Sequence, residues 1–474
     1  MSALAAPTVP LPPAGAHRRW LLAAALGLAA AAATVFGLPG AGWPAQAALL
    51  VFVAALLGWS LLRLDDLPLA LLAGLALVAA GAVPASALYA SLGSELVWLM
   101  LGASVLAAVL QASGLAERCA LRAVAGAGSV AALFHRLNLA IGATAFLVPS
   151  TSARAALLLP VFLVLARALG TPRLVRALAL LFPTSILLSA GASLLGAGAH
   201  LVAVEFIARE TGQTIGFLRW AVLGLPLALL ASSAATAAIL RLFLDRGERR
   251  QAPGLPRASS APLTPPQRGV AAVALATLAL WCAGPWLGLQ ATPVALAGAL
   301  AATWPALTGV RLAQALQRVE WGLLLFLAAT TLMGRALLDT GAATLLAQAA
   351  LRALPLATTP AWALLLVAAA TAVLLHLAVP SRTARAVLLL PSVALPFAAA
   401  GADLALLAFV CVQGTGFCQS FVVSAKPLAV YARAGEQPAF TPADLLRLAA
   451  VLGPAMVAWL ALCALWIWPA LGME

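Results

Sequence analysis

Apolar residues run through this chain in blocks of about 20, long enough for a helix to cross roughly 30 Å of hydrocarbon, and short segments holding most of the arginines separate them. Blocks near 20–38, 45–62, 67–84, 95–112, 217–241, 270–289, 292–309, 320–338 and 443–470 read as single crossings, and 174–207 and 402–430 as crossings broken in the middle, eleven in all. Two more apolar stretches, 129–167 and 358–398, hold about 40 residues each and carry a polar phrase at their centres. They read as helical hairpins that enter the membrane and return to the side they came from. The predicted fold is an all-α polytopic membrane protein with about eleven transmembrane helices and two re-entrant hairpins.

The polar phrase occurs twice, as Pro149-Ser-Thr-Ser-Ala-Arg-Ala-Ala-Leu-Leu-Leu-Pro160 and as Pro380-Ser-Arg-Thr-Ala-Arg-Ala-Val-Leu-Leu-Leu-Pro391. Nine of its twelve positions are identical, and the copies begin 231 residues apart in a chain of 474. Glu95 and Glu320, each before a tryptophan-containing helix start, are a weaker echo, as are Gln111-Ala-Ser-Gly-Leu-Ala and Asp339-Thr-Gly-Ala-Ala after the corresponding crossings. Arginine placement sets the orientation. With His17, Arg18 and Arg19 in the cytoplasm, Arg63, Arg118, Arg122, Arg241 and Arg246 fall on the inner side, and Arg136 and Arg167 put both flanks of the first hairpin there.

Five crossings and one hairpin separate corresponding points, so the second half is expected to be inverted relative to the first. Inverted repeats of this kind hold a substrate site near the bilayer midplane, where the halves meet. The expected organisation is an N-terminal tail and first crossing over 1–44, a first repeat over 45–242, a flexible cytoplasmic linker over 243–269 and a second repeat over 270–474. Arg18-Arg19 ahead of an apolar run ending near Ala45-Gln-Ala also fits a signal peptide. A retained first crossing is the reading adopted, since its loss leaves the other ten oriented as before.

Composition narrows the class. Hydrophobic residues make up 64% of the chain and charged ones 9%, with a mean hydropathy of +1.06, which no soluble core accommodates. The net charge of +13 would point to nucleic acid in a soluble protein; here it marks the inner loops, and no nucleic-acid partner is expected. High Ala, Leu and Arg with a single lysine points to a GC-rich bacterial genome and an inner-membrane location. Cys119, Cys282, Cys411, Cys418 and Cys463 lack metal-ligand spacing and read as packing residues.

The candidate chemistry sits at the hairpin tips. A chain reversal at membrane depth leaves peptide groups unpaired unless they line a polar cavity, and the helix restarting after Pro149 or Pro380 turns free N–H groups and its positive dipole end toward an anion. Ser150, Thr151, Ser152, Ser381 and Thr383 offer hydroxyls as caps or ligands, and Arg154 and Arg385 recur at one position of both copies. Arginine at this depth marks a substrate pathway, or else pairs with Glu95, Glu320 or a carbonyl. Ser189, Gly191, Ser193 and Gly196 in one broken crossing, and Gly414, Thr415, Ser424 and Lys426 in the other, are cation-coordinating or cavity-lining candidates, and His200 follows the first break.

These phrases, with Ser94-Glu-Leu-Val-Trp-Leu-Met-Leu-Gly-Ala, Ser113-Gly-Leu-Ala-Glu-Arg, the Gly-rich break running to His200 and Ile215-Gly-Phe-Leu-Arg-Trp-Ala-Val-Leu-Gly-Leu-Pro226, resemble the divalent anion/sodium symporter family within the ion transporter superfamily. The resemblance implies a dimeric scaffold and a transport domain that moves like an elevator, carrying di- or tricarboxylates or sulfate. It assigns substrate contact and two sodium sites to the family's Ser-Asn-Thr triplets, which here correspond to Ser150-Thr151-Ser152 and Ser381-Arg382-Thr383.

Thr151 and Arg382 replace the asparagines, and arginine supplies no oxygen to a cation. The wording is closer to that family's exchange branch. The expected function is secondary active transport of a small divalent anion by exchange, with no cofactor and with sodium as a candidate coupling ion, proton coupling being left open beside it. Sodium-coupled symport and an anion channel are the alternatives. An enzyme would need an acid/base or metal cluster at membrane depth, for which the tips supply few acids.

Overall fold

The computed structural model describes residues 21–29, 41–255, 261–353, 355–434 and 437–473. The N-terminal tail and most of the first expected crossing lie outside them. From there the first half runs α1 (Trp43–Leu57), α2 (Asp66–Ala79), α3 (Ala85–Leu92), α4 (Glu95–Ala112), α5 (Leu115–Val124), α6 (Val130–Ala143), α7 (Thr151–Leu169), α8 (Pro172–Ser189), α9 (Gly198–Thr211) and α10 (Phe217–Phe243). After the linker come α11 (Pro265–Leu287), α12 (Ala291–Ala302), α13 (Trp321–Asp339), α14 (Ala342–Ala353), α15 (Ala361–Leu374), α16 (Arg382–Leu389), α17 (Leu404–Gly414), α18 (Lys426–Tyr431) and α19 (Pro442–Leu462). The described strand content is one antiparallel pair, Arg433–Ala434 with Gln437–Pro438. Among the described residues nine helical segments are long and apolar enough to cross a bilayer, and the shorter apolar helices include α2, α12 and α17.

Setting α3 aside, the order of elements in the first half repeats in the second, α1 answering to α11 and α10 to α19. Packing between the halves follows the same correspondence. Helix α2 lies on α13 while its counterpart α12 lies on α4; α9 lies on α16 while α18 lies on α7; and α10 and α19 pack on each other. Burial sorts the helices by environment. In the span Pro172–Ala192 that contains α8, 89% of the most apolar window is buried, against 22% for α11, whose Leu275 and Trp286 face outward. Such a side chain finds no water-driven penalty in lipid, so α11 belongs at the periphery and α8 at the centre.

Local chemistry explains the helix starts. Ser129 caps α6 through the Ala132 N–H at 3.1 Å, and Thr264 with Gln267 and Thr441 with Asp444 form capping boxes at α11 and α19. Hydropathy alone missed α5 and α14, whose apolar and basic residues fall on opposite faces. Each follows a left-handed glycine, Gly114 at φ +66° and Gly341 at φ +77°, a conformation that admits glycine far more readily than other residues. The two sequence echoes after α4 and α13 mark these turns.

The described ends of the linker are held by hydrogen bonds and an ion pair. Arg246–Arg250 forms a helical turn whose Asp245 and Glu248 make a capping box, with Arg173 bridging to Asp245 at 3.2 Å. The Gln251 carbonyl accepts from the Val130 N–H at 3.0 Å, and Arg118 donates to Gln267 at 3.0 Å. These bonds fasten the two ends of the linker to α5, α6 and α8.

Candidate functional site

Both expected hairpin stretches break at the repeated phrase. Helix α6 passes through a tight turn at Thr144–Phe146 and stops before Pro149; α15 does the same through Leu375–Leu377 before Pro380. The chain restarts on a serine cap in each case. Ser150, held at φ +76°, accepts from the Ser152 and Ala153 N–H groups, and Ser381 accepts from Ala384 at 3.3 Å. The two tips open into one cavity of about 820 Å³, lined by all six triplet residues from Ser150 to Ser152 and from Ser381 to Thr383. Gly198 follows the first break on its wall, and Ser424 and Lys426 come from the second. Asp65, Asp66 and Glu320, from the helices beside the hairpins, close the opposite wall.

Arg154 and Arg385 are not on that wall. Arg154 is fully buried and donates to the Ile186 and Ile141 carbonyls at 2.8 and 2.7 Å, to Ser189 Oγ at 2.8 Å and to Thr144 Oγ1 at 2.9 Å. Those carbonyls lie at the C-terminal ends of α8 and α6, where helices leave acceptors unpaired and cations are favoured. Arg385 donates to the Phe417 carbonyl at 3.1 Å and to Cys418 Sγ. Phe417 stands 231 residues after Ile186, as Arg385 does after Arg154, so one clamp serves both broken crossings. The expected substrate role of these two arginines is thereby corrected to the carbonyl pairing that was its alternative.

The break residues are consumed in the same way. Ser189 is held by Arg154, and the Gly191 carbonyl accepts from Trp220 Nε1 and Gln413 Nε2, both at 3.1 Å. The Ser193 carbonyl meets His200 Nδ1 at 2.8 Å, Gly196 packs on Ala190, and Gly414 packs on Ala372. Thr415 Oγ1 receives Arg382. None of these six lines the main cavity, in contrast to Ser424 and Lys426. A Cβ on Gly224 would stand 2.1 Å from the Gly191 carbonyl oxygen, so α10 approaches the break only because it has none there. Gly224→Ala is expected to lower stability by about 1–3 kcal/mol, the usual range for overpacking, read as a drop in the unfolding temperature in detergent.

Arg382 and Lys426 are cations that line the cavity, and the partners of Arg382 are defined. Its Nε donates to Thr415 Oγ1 at 3.1 Å and its Nη2 to His200 Nε2 at 2.8 Å, while Nη1 is buried with no protein partner among the described residues. A guanidinium only donates, so this nitrogen needs an acceptor that the protein does not provide. Across the cavity, Glu320 Oε2 accepts from Ser150 Oγ at 3.1 Å, and Asp66 faces Ser381 and Lys426. The sequence pattern did not single out Asp65 or Asp66, which lie at a helix start like any surface acid. Glu320 could have been found through its echo with Glu95, which accepts from Thr292 at 3.1 Å.

No three His, Cys, Asp or Glu side chains converge on a metal position among the described residues. Several oxygens at the two breaks already have protein partners. At the second tip a guanidinium takes Thr415 Oγ1, and at the first break the Gly191 and Ser193 carbonyls already have donors from the protein.

Apolar helices broken at matched points, with two hairpin tips meeting in a polar cavity, define a helical membrane protein of the secondary-carrier class. The chain belongs to the citrate transporter family, whose model matches residues 54–414. That family falls within the ion transporter superfamily to which the triplet phrases pointed. A curated "membrane protein" of Cupriavidus necator is 28% identical over 305 residues, covering 62% of this chain and 59% of that protein's length. The fold is similar to that of the YdaH transporter of Alcanivorax borkumensis, with a TM-score of 0.57 at 17% identity over 79% of this chain and 84% of that one.

Proposed function

We propose that this protein is a secondary carrier of small divalent anions, most simply C4–C6 di- and tricarboxylates, working by exchange without obligatory sodium. The observation that carries this is the buried Nη1 of Arg382, a charged donor with no protein partner beside a cavity that both hairpin tips share. A carboxylate accepts from such a fork with good geometry, and each charge-assisted bond is strong in a poorly hydrated site. The hydroxyls of Ser381 and Thr383 and the N-terminal turn of α16 supply further donors to the same anion.

Exchange follows from charge. Arg382 and Lys426 ride on the second hairpin and second break, whereas Asp66 and Glu320 belong to the helices beside them. In the elevator reading, α2 and α13 stay while the hairpins, α8–α10 and α17–α19 move as the transport domain. An empty site then leaves its counter-charges behind and carries bare cations through a low-dielectric barrier, which is costly. A bound dianion compensates them, so the loaded carrier crosses faster than the empty one. By the arginine distribution, the segments at Arg63 and Glu320 lie on the cytoplasmic side, which makes this an inward-facing arrangement in a bacterial inner membrane with the N-terminus inside. Assembly as a homodimer is part of the same proposal.

The test is uptake of labelled citrate, succinate and sulfate into proteoliposomes preloaded with the same anion. Saturable, trans-stimulated uptake of the carboxylates is expected; uptake that grows linearly with concentration and ignores the internal anion would instead mean a channel. Thr383→Val is expected to raise the apparent KM about threefold to tenfold, as for loss of one hydrogen bond, with stability unchanged, because Thr383 Oγ1 has no protein hydrogen bond among the described residues. An unchanged KM would remove Thr383 from the site.

A further inference from the structure

The guanidinium of Arg382 would be free to rotate about its long side chain if the cavity alone constrained it. Two acceptors fix it instead, and they come from the two broken crossings. Thr415 stands at the end of α17, whereas His200 lies in the first turn of α9, in the other half of the chain. With Nε and Nη2 held, the plane of the fork is set and Nη1 is the nitrogen left over.

His200 is itself held on three sides. Its Nδ1 lies 2.8 Å from the Ser193 carbonyl oxygen and its Nε2 lies 2.8 Å from Arg382 Nη2. Its ring stacks on Trp220 with centroids 4.8 Å apart, and Trp220 Nε1 is anchored on the Gly191 carbonyl. A carbonyl only accepts and a guanidinium only donates, so Nδ1 carries the proton and Nε2 presents its lone pair. The imidazole is therefore the neutral tautomer, and its single acceptor is spent on Arg382.

We propose that His200 is a positioning residue for anion binding: it presets the Arg382 fork, and it ties that fork to the backbone of the first break, so that the two halves of the site share one alignment. The inference rests on the anion-carrier reading above. His200 touches no substrate in this account and acts through Arg382. An ordinary buried histidine satisfied by Ser193 would explain Nδ1 and the ring stacking but would give Nε2 no special part.

That difference can be measured. Glutamine places an acceptor oxygen near the position of Nε2, whereas asparagine reaches only as far as Nδ1 and can keep the Ser193 bond but not the Arg382 one. With citrate and succinate as probes in proteoliposome exchange, His200→Asn is expected to raise the apparent KM about tenfold or more, the effect of losing a hydrogen bond to a charged group. His200→Gln is expected to stay within about threefold of the unmodified protein on the same basis. In an Arg382→Gln background, His200→Asn should add nothing, because two residues acting through one contact are not additive. Thermal unfolding of each purified variant shows that the comparison is between folded proteins.

Equal KM values for the Gln and Asn variants, or effects of His200→Asn and Arg382→Gln that simply add, would overturn the positioning role while leaving the carrier reading intact. Unmodified protein that neither exchanges nor binds citrate or succinate would overturn the carrier reading, and this inference with it.

Discussion

Replacing Arg154 by Met should cost more than about 2 kcal/mol of stability, because each buried polar group left without its hydrogen-bond partner costs about 1–3 kcal/mol. The side chain is wholly buried and its four hydrogen bonds satisfy the ends of α6 and α8, with no carboxylate among its partners. Methionine fills much of the volume but takes the Arg154 donor from the Ile186 carbonyl and Ser189 Oγ in a buried site, while the Ile141 carbonyl keeps only its bonds from Thr144. Purified Arg154→Met should unfold at a far lower temperature in detergent or fail to yield monodisperse protein. Arg385→Met should be milder, because Arg385 makes one bond to a carbonyl and one to sulfur and leaves its buried Nε unpaired. If Arg154→Met instead kept the unmodified unfolding temperature and lost anion affinity, the clamp assignment would fail and the residue would return to the site.

Arg382 should show the opposite pattern, a loss of binding in a protein that folds. Its Nη1 contributes nothing to the protein's own hydrogen bonding among the described residues, so Arg382→Gln removes the proposed ligand contact together with only the two bonds to Thr415 and His200, and the unfolding temperature should fall less than in Arg154→Met. The apparent affinity for citrate or succinate should fall about 10- to 100-fold, corresponding to one hydrogen bond with a charged group. Arg382→Lys should not restore it, because an ammonium cannot hold Thr415 and His200 and still present a free donor in the same plane. Isothermal titration and exchange kinetics read the effect. Unmodified affinity in Arg382→Gln would place the anion elsewhere in the cavity.

The amino-acid sequence carried the architecture because lipid imposes length and periodicity at every crossing. The hairpins at 129–167 and 358–398 and the breaks in 174–207 and 402–430 appear where the repeated phrase and the small residues put them. The same pattern could not distinguish the four arginine and lysine roles. Arg154, Arg382, Arg385 and Lys426 all look like expensive charges in apolar sequence, and what separates them is which way each side chain turns. Arg154 and Arg385 lie three residues beyond Thr151 and Arg382, nearly one turn further along the restarting helices, where carbonyls of Ile141, Ile186 and Phe417 take up their guanidiniums. Arg382 itself was legible only as a departure from an asparagine.

The partners of the site were least visible. His200 meets Arg382 across 182 residues of sequence, and Glu320 meets Ser150 across 170. No local spacing encodes such contacts; they arise from the packing of α9 on α16 and from the meeting of Glu320, just ahead of α13, with the first tip. The glycines of the first break were legible as a weakness in the helix, yet nothing in the sequence says that the Gly191 carbonyl serves Trp220 and Gln413. A sequence motif names the donors and acceptors in a segment, and only the fold says which of them the protein has already used.

The central claim is that this carrier brings its own cation to the second hairpin tip and therefore needs a counter-anion rather than sodium. It is tested most directly by labelled citrate and succinate uptake into proteoliposomes that hold either unlabelled anion or none, each in sodium and in sodium-free choline buffer. The account predicts rapid uptake only into the anion-loaded vesicles, with little change on removing sodium. Steep sodium stimulation of net uptake into vesicles that contain no anion would contradict it.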